Sequence, residues 1–318
     1  MAETQDPGRW IFVAHPDAPI DLSRFEAALA AAPSSVARGG KLLPRAADST
    51  ATCRICGVAP ATTREHVPPR AAGNTRSHRA PAFTTWLERE SLDEDLRGPT
   101  HQGGIFGFTL CGECNSRSGR YATEYARWAG AAVDLVRSLP ESPAELDAMP
   151  MLKELTVQLP RVQPSAFARQ VLASFCTIAG SWELTEQYPE VREIVLGDDP
   201  AQLAQPLDLS MGFFLGPHAF VAGPTVQVQT SDERWRWVAS FAYPPFAFEL
   251  TLAASDPAPA SPLCGIADLL TVPASAHADV ELQVPLTFAH TQYPGDWRNR
   301  YQVENQLSIY GVPEGQGN

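Results

Sequence analysis

Four cysteines in two matched pairs constrain this chain more than any other feature. Cys53-Arg54-Ile55-Cys56 and Cys111-Gly112-Glu113-Cys114 are both Cys-x-x-Cys turns, and such a turn delivers two thiolates from one knuckle. Zinc in a structural site takes four ligands in a tetrahedron, so two knuckles complete one site. Residues 57–110 lie between them. A metal that joins the ends of so long a segment closes a large loop and stabilises a unit whose own core is small. The other two cysteines, Cys176 and Cys264, stand alone in apolar surroundings and are expected to be buried packing residues.

The compartment supports metal over disulfides. Met1 is followed by polar and acidic residues, and no apolar run reaches the roughly 20 residues that a membrane span requires. A cytoplasmic protein with no membrane partner is expected, and in a reducing compartment paired cysteines hold metal. The net charge of -12 argues against broad, non-specific affinity for nucleic acid, which rests on cations neutralising phosphates. Locally the balance is different. Arg54, Arg64, Arg70, Arg76, Arg79, Arg117, Arg120 and Arg127 gather around the cysteine pairs, while acidic residues concentrate at 88–95 and beyond 140. Arginine suits bidentate contacts to phosphate.

The length of 318 residues allows two domains plus an arm. Residues 1–51 read as an N-terminal arm with a short strand near Trp10–Ala14, a capped helix over Asp21–Leu29, and a Pro/Gly-rich linker. Residues 52–139 form the zinc-bearing unit. Within it, 70–104 reads as a long loop with one helical turn around Phe83–Glu90, Ile105–Leu110 alternates like a strand, and 121–135 has helical spacing. The acidic, proline-containing stretch 139–150 is the expected boundary. Residues 150–318 read as a second domain: a strand over Leu152–Leu159, an amphipathic helix over Pro164–Ile178 with Phe167, Val171, Phe175 and Ile178 on one face, then short apolar runs from 211 to 288, Ile266–Val272 among them. Alternation such as Trp235-Arg236-Trp237-Val238 predicts an antiparallel sheet. The second domain is left three roles: gating, oligomerisation or sensing a partner. No Gly-rich phosphate loop, Gly-x-Ser-x-Gly elbow or dinucleotide fingerprint is present.

The knuckles frame Arg64-Glu65-His66-Val67-Pro68, and the second runs straight into Asn115. In this constellation, about a quarter of the chain, the sequence resembles the HNH endonucleases. The resemblance implies a zinc-stapled ββα-metal (HNH-like) module, which together with the C-terminal antiparallel-sheet domain and packed helix read from the patterning makes an α+β protein. It implies phosphodiester hydrolysis with nucleic acid, DNA first, as substrate. His66 stands at the general base, and Glu65 and Asn115 stand at the ligands of a catalytic Mg2+ or Mn2+. Cys53, Cys56, Cys111 and Cys114 are the expected ligands of a structural Zn2+. Arg64, Arg70, Arg117 and Arg120 are the candidate phosphate contacts. The residue types suit the chemistry: a hard cation takes oxygen ligands, and a neutral imidazole accepts a water proton near pH 7. The family often carries an asparagine on the second strand that braces the loop behind the base. Residues 104–109 offer none, which leaves His101, Gln102 or Thr109 as substitutes.

Simpler roles exist for the same residues. An isolated hairpin histidine is usually satisfied by a backbone carbonyl, Glu65 can pair with Arg64 or Arg70, and Asn115 can cap the helix that follows it. The rival to an enzyme is a non-catalytic zinc module that binds nucleic acid or a protein partner.

Overall fold

A computed structural model describes residues 11–12, 43–75, 78–79, 100–137, 154–178, 184–214, 220–229, 234–243, 245–253 and 263–287. The helix expected over Asp21–Leu29, the turn around Phe83–Glu90 and the stretch 139–150 lie outside these residues. The chain is a mixture of helix and sheet, as the patterning predicts.

In chain order the strands are β1 (Ile11–Phe12), β2 (Asp48–Thr52), β3 (Pro60–Ala61), β4 (Thr63–His66), β5 (His78–Arg79), β6 (Thr100–His101), β7 (Phe106–Leu110), β8 (Glu154–Val162), β9 (Leu207–Phe214), β10 (Phe220–Gln229), β11 (Arg234–Tyr243), β12 (Phe246–Ala253), β13 (Cys264–Gly265) and β14 (Ala278–Thr287). The helices are α1 (Gly112–Gly119), α2 (Ala122–Arg137), α3 (Pro164–Ile178), α4 (Leu184–Gln187) and α5 (Pro189–Leu196).

In the N-terminal half, β4 pairs antiparallel with β7, with His66 opposite Phe106 and Arg64 opposite Phe108. The chain then turns at the second knuckle into α1, giving strand, strand and helix in succession. The long loop is punctuated by a 3-10 turn at Arg70–Ala72 and by the small β5–β6 pair.

In the C-terminal half, the strands run in the order β1-β10-β11-β12-β9-β14-β8, with β13 beside β9. This sheet is mainly antiparallel, but two pairings are parallel: β1 with β10 and β14 with β9. The N-terminal arm therefore lends its strand to the C-terminal sheet. Residues Ala267–Thr271 form a 3-10 helix where a strand was expected. Its Leu270 is buried while Asp268 and Thr271 face water, a spacing near three that suits a helical turn.

The helix α3 also departs from expectation. All its residues are buried, not one face alone. Phe175 meets Phe241 of the sheet at 5.1 Å between ring centroids, and Phe167 meets Phe246 at 5.9 Å. On its other sides, small residues such as Ala166, Ser165, Ala173 and Ser174 let neighbouring elements approach closely. A helix covered all round is a core element.

One contiguous core joins the two halves. Cys53, Ile55, Leu110 and Trp128 belong to the same buried cluster as Phe167, Phe213 and Phe248. Trp128 of α2 stacks on Phe167 with centroids 4.0 Å apart and planes 6° from parallel. Such a pair contributes about 0.5–1.5 kcal/mol beyond the area it buries. Buried Glu124 accepts from Trp128 Nε1 at 3.1 Å and from the Gln163 amide at 2.9 Å, linking α2 to the start of α3. The expected division at 139–150 is thus not accompanied by separate cores. Cys176 is buried as expected, whereas Cys264 is half-exposed at the sheet.

Candidate functional site

Four thiols converge where the sequence places them. One ligand atom from each of Cys53, Cys56, Cys111 and Cys114 lies within 4.8 Å of all the others, and all four cysteines are free of disulfides. In the first knuckle the Cys53 amide donates to Ala59 O at 2.7 Å, the Gly57 amide donates to Cys53 O at 2.8 Å, and Gly57 takes the positive φ of 73° that closes the turn. In the second, Cys111 caps α1: its Sγ accepts from the Cys114 amide at 3.5 Å. Burial pushes the Cys53 and Cys114 thiols up. Burial also opposes ionisation of Cys56, but the amides of Ala59 and Val58 and the thiols of Cys53 and Cys111 outweigh it and bring Cys56 to about 7. So tight a group of thiols cannot all ionise without a cation among them. Their number, chemistry and spacing fit a structural zinc.

The knuckles are tied to both halves of the molecule. The Arg54 amide donates to Thr109 O of β7 at 3.0 Å, and Thr185 Oγ1 donates to Arg54 O at 2.9 Å. Half-buried Arg54 also donates through Nη1 to Thr177 O near the C-terminal end of α3, where a cation is favoured by the helix dipole.

Along β4, side chains alternate in environment. Arg64 is exposed, Glu65 buried and His66 half-buried. The Glu65 side chain makes no hydrogen bond or ion pair among the described residues, with neither Arg64 nor Arg70, and burial raises its carboxyl to about 8. A carboxylate so placed lacks a cation. Asn115 sits inside the first turn of α1 and is not its cap. Its Nδ2 donates to Arg64 O at 2.9 Å, tying helix to strand immediately before Glu65, and its Oδ1 has no donor among the described residues.

The His66 ring lies 5.4 Å from Phe106, and its Nε2 is 3.0 Å from Gly103 O. A carbonyl only accepts, so Nε2 carries the proton and the lone pair resides on Nδ1. Burial lowers the His66 pKa, the Gly103 bond partly opposes this, and the charges of Arg70, Arg64 and Arg45 lower it further. The imidazole is neutral near pH 7.

Those three arginines define the basic face. The Arg64 guanidinium stands 5.0 Å from the Phe106 centroid and 5.6 Å from that of Phe108, while Arg45 stands 4.5 Å from Phe106. The side chains of Arg64 and Arg70 make no hydrogen bond or ion pair among the described residues. Arg117 and Arg120 are not among the cations acting on His66. Arg117 donates to Leu196 O at 2.8 Å and pairs with Glu113 at 3.7 Å. Arg120 donates to Leu196 O and Gly197 O, both at 3.1 Å, and pairs with Asp198 at 3.0 Å. Both arginines satisfy carbonyls at the end of α5 and so dock α1 against it. Arg45 does act on His66, delivered by a segment whose Pro44 O accepts from the Phe108 amide at 2.8 Å.

The loop that follows His66 is braced by Asn74. This residue is 1% exposed, and its Nδ2 donates to Pro68 O at 2.7 Å and to Ile105 O at 2.9 Å, while its Oδ1 accepts from the Ile105 amide at 2.7 Å. The loop after His66 is thereby fastened to the start of β7. Gly104 is required alongside, because its φ is 87° and a Cβ there would lie 2.2 Å from Asn74 O. None of His101, Gln102 and Thr109 fills this role: Thr109 Oγ1 is buried with no partner among the described residues, Gln102 is exposed, and half-buried His101 lies on β6. A Gly-Asn pair in the loop was the available signal for Asn74, but nothing local shows that it reaches across 31 residues to Ile105. Arg45 carried no signal, since residues 33–51 read as a linker.

No family model, curated protein or solved structure matches this chain. Among the described residues, no helix is long and apolar enough to cross a membrane.

Proposed function

We propose that the chain is a metal-dependent endonuclease of the HNH type, hydrolysing phosphodiester bonds of nucleic acid with DNA as the first substrate to test. Glu65 carries this reading: a buried carboxyl group, without a partner among the described residues, next in sequence to a histidine whose tautomer is set by a backbone carbonyl. Glu65 and the Asn115 Oδ1 offer the oxygen ligands that Mg2+ or Mn2+ takes, and the four cysteines would hold Zn2+. When bound, the divalent cation supplies Lewis-acid stabilisation of the scissile phosphate.

The protein's own residues supply the remaining chemistry. His66 Nδ1 accepts a proton from the attacking water, and the Gly103 carbonyl, fixed at Nε2, steadies the imidazolium that results. General-base catalysis of this kind contributes about 10²–10⁴-fold. Arg45, Arg64 and Arg70 present guanidinium groups to phosphate oxygens. In a chain of net charge -12 this local excess of cations is matched to a polyanion. Asn74 supplies the brace whose absence from β7 would otherwise weaken the comparison.

The test is nicking of supercoiled plasmid with Mg2+ or Mn2+ by the wild type and by His66→Ala. Loss of nicking in a folded variant supports the proposal. Equal nicking by both identifies a contaminant. Zinc content with nucleic-acid or protein binding but no hydrolysis by the wild type selects the non-catalytic zinc module.

A further inference from the structure

A side chain of the C-terminal sheet reaches the loop that follows His66. Tyr243 is the last residue of β11, opposite Phe246 in the β11–β12 register. Its hydroxyl donates to Gly73 O at 3.1 Å, across 170 residues of sequence. Gly73 ends the 3-10 turn at φ 86°, with its amide donating to Arg70 O at 3.0 Å. The carbonyl that Tyr243 holds belongs to the Gly73–Asn74 peptide. Because a peptide unit is planar, fixing this oxygen fixes the orientation of the Asn74 amide nitrogen and hence the position of Asn74 itself. Within the turn the same oxygen also accepts from the Thr75 amide at 2.8 Å, and because glycine gives the preceding dihedrals little stiffness of their own, the Tyr243 hydroxyl adds a second restraint that anchors this local turn to the sheet.

From Asn74 the restraint passes to His66 through a chain of hydrogen bonds. The Asn74 side chain holds both backbone groups of Ile105. Ile105 O also accepts from the Val67 amide at 3.0 Å, next to His66, and Gly103, two residues before Ile105, holds His66 Nε2. The turn at Arg70–Ala72 rests on α2, which is itself stacked on α3. The Asn74 loop is therefore clasped between α2 and the end of the β11–β12 hairpin. Sites held to a fraction of an ångström depend on such supporting contacts from rigid elements.

We infer that Tyr243 is a positioning residue for His66, so that the C-terminal half completes the site and does not merely accompany it. This rests on the nuclease reading for its catalytic consequence, but not for its structural one. The experiment compares the wild type with Tyr243→Phe, which keeps the ring packed and removes only the hydroxyl. Three quantities are read: exchange of the Ile105 amide proton, the nitrogen spectrum of the His66 imidazole, and kcat and KM for plasmid nicking. Removing one hydrogen bond of ordinary strength is expected to raise Ile105 exchange and to lower kcat by about three- to tenfold each. The Nε2–H tautomer loses its dominance, while KM and the melting temperature stay near wild type. Unchanged exchange with an unchanged tautomer overturns the inference, and so does faster exchange with an unaltered kcat. If the wild type cleaves nothing, the nuclease reading fails by itself, and exchange and tautomer still decide whether Tyr243 holds His66.

Discussion

Replacing Asn74 by alanine removes three hydrogen bonds at once, of 2.7, 2.9 and 2.7 Å, all to backbone groups of Pro68 and Ile105. At about 1 kcal/mol net for each bond the loss is about 3 kcal/mol, and the buried groups left without partners place the result at about 2–4 kcal/mol. Urea unfolding of the zinc-loaded protein measures it, provided that the slope with denaturant is unchanged. Asn74→Asp is the sharper variant. It keeps an acceptor for the Ile105 amide but sets a carboxylate against two carbonyl oxygens. Those oxygens raise the carboxyl pKa in the folded state above its unfolded value, so the folded protein holds the proton longer. Stability is then retained at low pH and lost as pH rises, and Asn74→Asp should fall increasingly below the wild type between mildly acidic and alkaline pH. An Asn74→Ala variant within about 0.5 kcal/mol of wild type would refute the brace, as would an Asn74→Asp penalty independent of pH.

Three further outcomes are expected. Metal analysis should find about one zinc per chain, and Cys114→Ser or chelation should lower the unfolding midpoint; full stability in chelator would dismiss the metal. Glu65, raised from 4.5 to about 8, contributes stability that is complete below 4.5 and lost as pH climbs to 8, on the order of 5 kcal/mol at 1.36 kcal/mol per pH unit. The urea stability of wild type minus Glu65→Gln should therefore decline over that window and be restored by Mg2+ or Mn2+, whereas parallel curves count against an unpaired carboxyl. Arg64→Ala and Arg70→Ala should weaken DNA binding and reduce its salt slope by about 1 each, while Arg117→Ala and Arg120→Ala should lower stability and leave the slope alone; the reverse pattern would return the phosphate contacts to α1.

Much of the local architecture was legible because its causes are local. The strand at Phe106–Leu110 and the helices at Ala122–Arg137 and Pro164–Ile178 follow from short-range periodicity, and each knuckle brings its two thiols together within four residues. The 3-10 helix at Ala267–Thr271 was misread as a strand because a short apolar run does not reveal its period. Helix α3 looked amphipathic because alanine and serine do not announce whether water or another helix lies against them. Only the packed α2 and α5 answer that.

The four-thiol frame is legible in the sequence because each knuckle's spacing is local, and Glu65, His66 and Asn115 stand out there through their resemblance to the HNH pattern. The tertiary structure alone decided which groups surround them. Arg45 joins Arg64 and Arg70 in acting on His66, Arg117 and Arg120 are drawn to the end of α5, Asn74 fastens the loop after His66 to Ile105, and Tyr243 reaches in from the distant sheet. Burial, the neighbours' charges and the hydrogen bonds that set a tautomer arise from chains meeting across 31 to 170 residues, and no local pattern encodes that meeting.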